Sequence, residues 1–189
     1  MRWGGDSALL RQFVGLVVVV TLGAVNAGCF QPLYGDQKIS AGDTVRDKLG
    51  SIQIPDIVAP QGTPQARLAV ALRNALVYDL NGGANPGTPI YRLDVKFAGV
   101  GRTSVIVDVS SGRPDAELEA INATFSLTEI ETKKVVLSDL AFARASYDVP
   151  GSEQRFARQR AWRNAEDRAV DLLAQNILKR LSSYFVAGT

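Results

Sequence analysis

The chain has 189 residues, with 21 basic and 19 acidic side chains, one cysteine and no histidine. A net charge of +2 provides no broad basic field, so nucleic acid is not expected as a partner. The absence of histidine excludes imidazole catalysis and histidine metal sites, and one cysteine cannot form an internal disulfide.

The N-terminal residues have the features of an export signal. Basic residues precede an apolar run at 13–25, which is shorter than the roughly 20 residues that a membrane span requires. Two small residues then precede Cys29. This ending resembles a bacterial lipoprotein signal, in which the thiol is acylated and the chain is cut before the cysteine. We therefore predict a lipoprotein signal peptide over 1–28 and a lipid on Cys29.

A second interpretation of the same segment remains open. Val25-Asn26-Ala27 also fits an ordinary secretory cleavage site, and Asn26 stands where lipoprotein signals usually carry Leu, Val or Ile. Cleavage there would leave an unlipidated protein that begins at Gly28. Under either interpretation the chain leaves the cytoplasm.

The stretch 35–47 is polar and turn-rich, and it predicts a loop between the anchor and the fold. We assign 29–48 to the lipidated N-terminus and tether, and 49–189 to a single domain. A segment of this length is sufficient to bury a hydrophobic core.

Two segments have helical periodicity. Thr63 and Pro64 predict the N-cap and first residue of one helix, and Asn81-Gly82-Gly83 predicts its end. The other helix is predicted over about 153–185, with arginines crowding its first half. It would be about 48 Å long, so we expect it to start later or to extend beyond the sheet. The predicted apolar stripes are Leu68, Leu72, Ala75 and Leu76 in the first helix, and Ala165, Ala169, Leu172, Leu173, Ile177, Leu181 and Tyr184 in the second.

Alternation of apolar and polar residues predicts the strands. They cover 51–55, 91–97, 104–109, 117–128 and 135–147. Gly99 and Gly101 predict a bulge after the second of these. Ala141, Ala143 and Ala145 share one face of the last strand, so another element can pack closely there.

The element order is therefore β-α-β-β-β-α. This order predicts an α+β two-layer sandwich, with a small mixed or antiparallel sheet of about four strands and two helices on one face. That arrangement is the simplest way to bury all the apolar stripes.

Few motifs carry chemistry. Gly99-Val100-Gly101 follows a strand but opens no helix, so it is not a phosphate-binding loop. Glu117 and Glu119 share a strand face, and Glu166 and Asp167 lie beside arginines. We predict that both pairs are solvated surface groups. We expect neither an enzyme nor a metal site nor a cofactor.

The residues that follow the predicted signal carry a family resemblance. Cys29-Phe30-Gln31-Pro32-Leu33-Tyr34-Gly35 resembles the first residues of mature lipopolysaccharide-assembly lipoproteins of the LptE type. The alphaproteobacterial branch opens with Cys-Gly-Phe-x-Pro-Leu-Tyr-Gly, and this chain lacks the glycine after the cysteine. The element order and a C-terminal helix closing on 181–185 are similar as well, so the resemblance covers essentially the whole chain.

The resemblance implies an outer-membrane lipoprotein, anchored by its lipid on the periplasmic side. Such proteins plug the lumen of an LptD-type β-barrel, help it to assemble, and help lipopolysaccharide to reach the cell surface. The implied partners are that barrel, lipopolysaccharide and the outer membrane. The alternative function is an accessory or substrate-binding lipoprotein of an envelope lipid transporter. A soluble periplasmic adaptor follows if Cys29 is not lipidated.

Two sets of side chains are candidates for contacts that the resemblance implies. Lipid A is phosphorylated, and arginine is well suited to bind phosphate. The candidates for lipopolysaccharide contact are Arg102, Arg113 and Arg144. The candidates for the partner interface are Trp162, Arg158 and Arg163. Trp162 equally fits a place at the edge of the core.

Overall fold

The computed structural model describes residues 44–83, 88–149 and 154–187. The predicted signal peptide, Cys29 and most of the predicted tether lie outside the described residues. In chain order the elements are helix α1 (Val45–Gly50), strand β1 (Ile52–Gln53), helix α2 (Pro64–Asn81), strands β2 (Tyr91–Val107), β3 (Pro114–Glu129) and β4 (Val135–Asp148), and helix α3 (Arg155–Ala187).

The four strands form one mixed sheet in the order β1-β2-β3-β4. Strand β1 is parallel to β2, and the other two pairings are antiparallel. Helices α2 and α3 share one hydrophobic core with a single face of the sheet, and alternate residues of β3 and β4 on the other face remain largely solvated. The predicted α+β two-layer sandwich is confirmed.

Strand β2 runs without a break through the two stretches predicted at 91–97 and 104–109, so the second stretch continues the first. Its pairing with β3 shifts between Phe97 and Gly99, which leaves Ala98 as the extra residue of the predicted bulge. Beyond the bulge Val100 lies opposite the fully buried Ile121. Because one inserted residue exchanges the two faces of a strand, even-numbered residues of β2 face the helices from Val100 to Ser104, where the pairing shifts again.

Helix α3 packs on β4 through small side chains. Ala141, Ala143 and Ala145 are 4%, 3% and 4% exposed. The helix contributes Ala165 and Ala169, both fully buried, to the same core. The predicted close approach on this strand is therefore confirmed.

The length of α3 is matched by the length of the strands. Its 33 residues span about 50 Å, and the 16 residues of β3 span about 53 Å. Arg158, in the first turn of the helix, already reaches Glu117 near the start of β3. The expected overhang of the helix is not found at this end, because the β2–β3 hairpin is long enough to lie beneath it.

A short helix, α1, replaces the end of the predicted loop. Thr44 and Asp47 form a capping box, in which the Thr44 hydroxyl accepts from the Asp47 N–H at 3.1 Å and the Asp47 carboxylate accepts from the Thr44 N–H at 3.0 Å. Val45 and Leu49 are buried, so the helix belongs to the core.

The two long helices depart from prediction in detail. The Thr63 hydroxyl does not cap α2 but donates to the Pro60 carbonyl at 2.6 Å, whereas Gly82 ends the helix as predicted with φ of 64°. Leu172, which was assigned to the buried stripe, is 42% exposed. None of the helices in the described ranges is sufficiently long and apolar to span a membrane.

The alanine contacts lead to a first prediction. Ala143→Leu should lower the free energy of unfolding by about 1–3 kcal/mol, because the added side chain must displace α3. Ser138→Leu, at an exposed position of the same strand, should change it by less than about 0.5 kcal/mol. Urea unfolding followed by circular dichroism measures both, and equal losses would contradict the close packing.

Candidate functional site

A cluster of polar and aromatic side chains lies between the sheet and the first half of α3. We call it the Trp162 cluster, and it consists of Arg102, Glu117, Glu119, Tyr147, Arg158 and Trp162. Three of its members are buried, Glu117 at 8%, Glu119 at 2% and Tyr147 at 6% exposure.

The prediction that Glu117 and Glu119 are solvated is wrong. The alternation that buries Ile121 and Phe125 continues along β3 to both carboxylates. Glu117 lies directly opposite Tyr147 on β4, whose inward face follows the same alternation. A signal was therefore present in the sequence, because the parity of the apolar residues already placed both glutamates on the inward face.

Glu117 is hydrogen-bonded through both carboxylate oxygens. Oε2 accepts from the Tyr147 hydroxyl, and Oε1 accepts from Arg158 Nη2 at 2.8 Å. Burial raises the pKa of Tyr147, and its hydrogen bond to Glu117 raises it further. The phenol therefore remains a donor, and the three groups connect β3, β4 and α3.

Glu119 accepts a hydrogen bond from Trp162 Nε1 at 3.2 Å. The guanidinium carbon of Arg102 lies 4.2 Å from the centroid of the Trp162 ring, which is a cation–π contact. Arg102 can reach this face because of the bulge at Ala98, which places it opposite Glu119. Without the extra residue, Arg102 would lie on the opposite face of the sheet.

The charge state of Glu119 reflects its surroundings. Burial raises the pKa of Glu119, and the nearby carboxylates Glu166 and Glu117 raise it further. The hydrogen bond from Trp162 and the charge of Arg102 act in the opposite direction. The net shift of the Glu119 pKa is upward, so this carboxylate is protonated more readily in the cluster than in water.

A third buried carboxylate, Glu166, joins the two long helices. Glu166 is 2% exposed, so the prediction that it is solvated is wrong. Arg67 of α2 donates to the Glu166 carboxylate and, at 2.7 Å, to Asp167 Oδ1. Asp167 is exposed, as predicted. These ion pairs connect α2 to α3.

The predicted site residues fall in different places. Arg102, Arg158 and Trp162 meet in the Trp162 cluster, where Trp162 also packs against the core. Arg144 lies on the open face of β4, 5.7 Å from the Phe142 ring centroid. The three candidate arginines for lipopolysaccharide do not converge, since Arg102 is in the cluster, Arg144 is on the open face and Arg113 lies in the β2–β3 turn. The interface candidate Arg163 is exposed on α3. Their binding roles stay predictions.

The end of the β2–β3 hairpin, residues 105–113, is an exposed apolar tip that the sequence analysis did not single out. Val105, Ile106 and Val107 are 58%, 56% and 48% exposed, and Val109 is fully exposed. Ser110 donates to the Asp108 carboxylate through its hydroxyl and its N–H, and these hydrogen bonds lower the pKa of Asp108 to about 2. These hydrogen bonds stabilise the turn, while its apolar side chains face solvent.

The Trp162 cluster stabilises the contact between α3 and the sheet. The oxygens of Glu117 are both occupied, and Glu119 is held by Trp162. In the part of the chain that the structure describes, no group of three or more His, Cys, Asp or Glu side chains could hold a metal ion. The candidate binding surfaces are therefore the exposed ones, which are the hairpin tip, the open face of the sheet and its edge.

No protein-family model matches the chain, and no curated protein matches it. Solved structures do. A lipoprotein from Caulobacter crescentus CB15 superposes with a TM-score of 0.56 at 20% identity, covering 77% of this chain and 97% of that chain. The rare lipoprotein B from Shewanella oneidensis superposes with a TM-score of 0.50 at 14% identity, covering 72% and 95%. The chain therefore has a fold that is found in bacterial lipoproteins.

Removal of the Glu117 carboxylate should destabilise the fold. Glu117→Ala leaves the Tyr147 hydroxyl buried without its acceptor and Arg158 without its partner, so we expect a loss of about 2–3 kcal/mol. Glu131→Ala, in the exposed β3–β4 turn, is the control and should cost less than about 0.5 kcal/mol. Denaturant unfolding checks both, and a loss at Glu117 no larger than the control would refute this stabilising role of the cluster.

Glu119 should make stability depend on pH. Because its pKa is higher in the folded state, the folded protein binds more protons between the two pKa values, and stability falls as pH rises through that window. Glu119→Gln keeps an acceptor for Trp162 and removes this dependence. Urea unfolding from about pH 4 to pH 7 should show the variant gaining stability relative to the wild type as pH rises. A difference in unfolding free energy between the variant and the wild type that stays constant with pH would contradict the raised pKa of Glu119.

Proposed function

We propose that this chain is an outer-membrane lipoprotein of the LptE type that plugs and helps to assemble an LptD-type β-barrel for lipopolysaccharide insertion. The observation that carries the proposal is the one-sided architecture of the sheet. Two helices cover one face, and the other face is open and mostly polar over the described strands.

The open face suits a polar barrel lumen. Across β2, β3 and β4 one row consists of Asp94, Ser126 and Ser138, and the next consists of Lys96, Thr124 and the exposed Leu140. Large barrels of the outer membrane have polar interiors. A flat polar face can lie against such a wall with its hydrogen-bonding groups satisfied by water or by the partner.

A plug must also be rigid, and three joints meet this requirement. The Trp162 cluster fastens α3 to the far half of the sheet, and Arg67 fastens α2 to α3. Farther along the helix, α3 packs on the alanine face of β4, and Asn176 donates a hydrogen bond to the Phe142 carbonyl. The helical layer is therefore held along its length.

The N-terminal sequence supports the proposed location. Cys29 with the following Pro-Leu-Tyr-Gly resembles the mature start of this class of lipoprotein, and Phe30 is not an acidic residue of the kind that retains lipoproteins at the inner membrane in some systems. Several acyl chains on Cys29 would anchor the protein stably, whereas one chain holds a protein only marginally. The likeness to rare lipoprotein B supports the same proposal at the level of the fold.

Among the candidate arginines, Arg113 has the surroundings best suited to lipopolysaccharide. It lies on the hairpin tip beside exposed valines, which pairs a cation with apolar surface. A phosphorylated, acylated lipid requires both. Arg102 is already stacked on Trp162, and Arg144 is on the open face. Arg163, exposed next to Trp162 along α3, is the best-placed residue for a partner interface in that group.

The partner can be tested directly. A C-terminally tagged full chain, purified from outer membranes in mild detergent, should bring down a large β-barrel in stoichiometric amount, as identified by mass spectrometry. Cys29→Ser is the matched control for anchoring, and it should shift the protein from the membrane to the soluble periplasmic fraction.

Two results would overturn the proposal. Recovery of the chain alone from the outer membrane excludes a stable barrel partner. Recovery with an inner-membrane transporter favours the accessory lipoprotein. If Cys29→Ser leaves membrane retention unchanged, the prediction of a lipid anchor at Cys29 is wrong. Recovery of a β-barrel in the pull-down would still support the plug function in that case.

A further inference from the structure

The outer edge of β2 is open for most of its length. Strand β1 pairs with β2 only at Ile52↔Tyr91 and Gln53↔Arg92. The chain then leaves the sheet at Pro55, and within the described ranges no other strand pairs with this edge. The free N–H and C=O groups of such an edge accept an added strand.

An open cavity of about 400 Å³ lies beside this edge at the bulge. Its walls are the loop 58–60, Gln65 of α2 and residues 96–100 of β2. Phe97 and Val100 both face the helical layer, opposite Ala123 and Ile121, because the bulge lies between them. They give the cavity an apolar floor just inside the edge.

Lys96 borders the mouth of the cavity. It belongs to the face of the sheet that is turned away from the helices. It pairs in register with Thr124, whose side chain is exposed. Among the residues that the structure describes, Lys96 has no ion-pair partner. An exposed cation therefore stands next to an apolar cavity along one strand edge.

We propose that this edge binds an extended segment of a partner protein as an added strand, with an apolar side chain in the cavity followed or preceded by an acidic side chain. The pattern follows from strand geometry, because successive side chains point to opposite faces. The residue that enters the cavity faces the helices, and its neighbour faces the side on which Lys96 lies. The backbone pairing provides affinity, and these two positions provide specificity.

The charge of the edge disfavours a second copy of this chain as the occupant. Two β2 edges paired antiparallel about Lys96, at the mouth of the cavity, would place the two Lys96 side chains opposite each other. Like charges that face each other across a strand pair are destabilising. An acidic and apolar segment removes that repulsion. This proposal goes beyond the plug function, because it concerns the backbone edge of β2 and the cavity beside it, and it shares Lys96 with the open face.

The probe is a blocked hexapeptide, Thr-Leu-Asp-Val-Thr-Val, with photo-leucine as its leucine. It is irradiated with the full chain in detergent micelles, and the cross-linked residues are mapped by mass spectrometry. We expect saturable cross-links to the loop 58–60 and to residues 97–100. No saturable cross-link at millimolar peptide, or cross-links scattered over the surface, would overturn the proposal.

A charge exchange sharpens the test. Lys96→Glu should weaken binding of the peptide by up to roughly fivefold. A peptide with lysine in place of aspartate should bind this variant without that loss. Lys179→Glu, at an exposed position on α3, is the matched control and should leave binding unchanged. Equal effects of the two variants would refute the role of Lys96. Dimers of the chain that the peptide dissociates would overturn the proposal in favour of a second copy.

Discussion

The close contact between α3 and the strands β3 and β4 is the constraint on which the rest of the structure depends. Ala141, Ala143 and Ala145 let the helix approach the sheet, and the helix in turn helps to bury the inward side chains of β3 from Glu117 to Leu127. Because the helix runs the full length of the strand, it also covers two glutamates beyond the apolar stretch. A carboxylate in that position must be hydrogen-bonded, and Tyr147, Arg158 and Trp162 supply the donors.

The bulge at Ala98 has two consequences for the same strand. Before it Lys96 faces solvent, and after it Arg102 faces the helices and stacks on Trp162. At the bulge itself Phe97 and Val100 come to lie on one side, which forms the cavity beside the open edge. One inserted residue thus brings Arg102 to Trp162 and forms the cavity beside the β2 edge.

The polar groups divide by role. Those under α3 are hydrogen-bonded or ion-paired with one another, and they connect the helical layer to the sheet. The groups available to partners are on the open face, at the hairpin tip and along the β2 edge. The fold that carries these surfaces occurs in bacterial lipoproteins.

The sequence by itself determined the order of the strands and the two long helices, the one-sided sheet and the close-packed alanines, because period and side-chain size are local properties of the chain. It also contained the inward parity of Glu117 and Glu119, but composition rules for charged residues favoured the wrong interpretation. Only the tertiary structure decided that α3 extends over both glutamates and that the bulge places Arg102 beside them. The physical reason is that burial of a charged side chain depends on what packs over it, and that partner is more than 40 residues away along the chain.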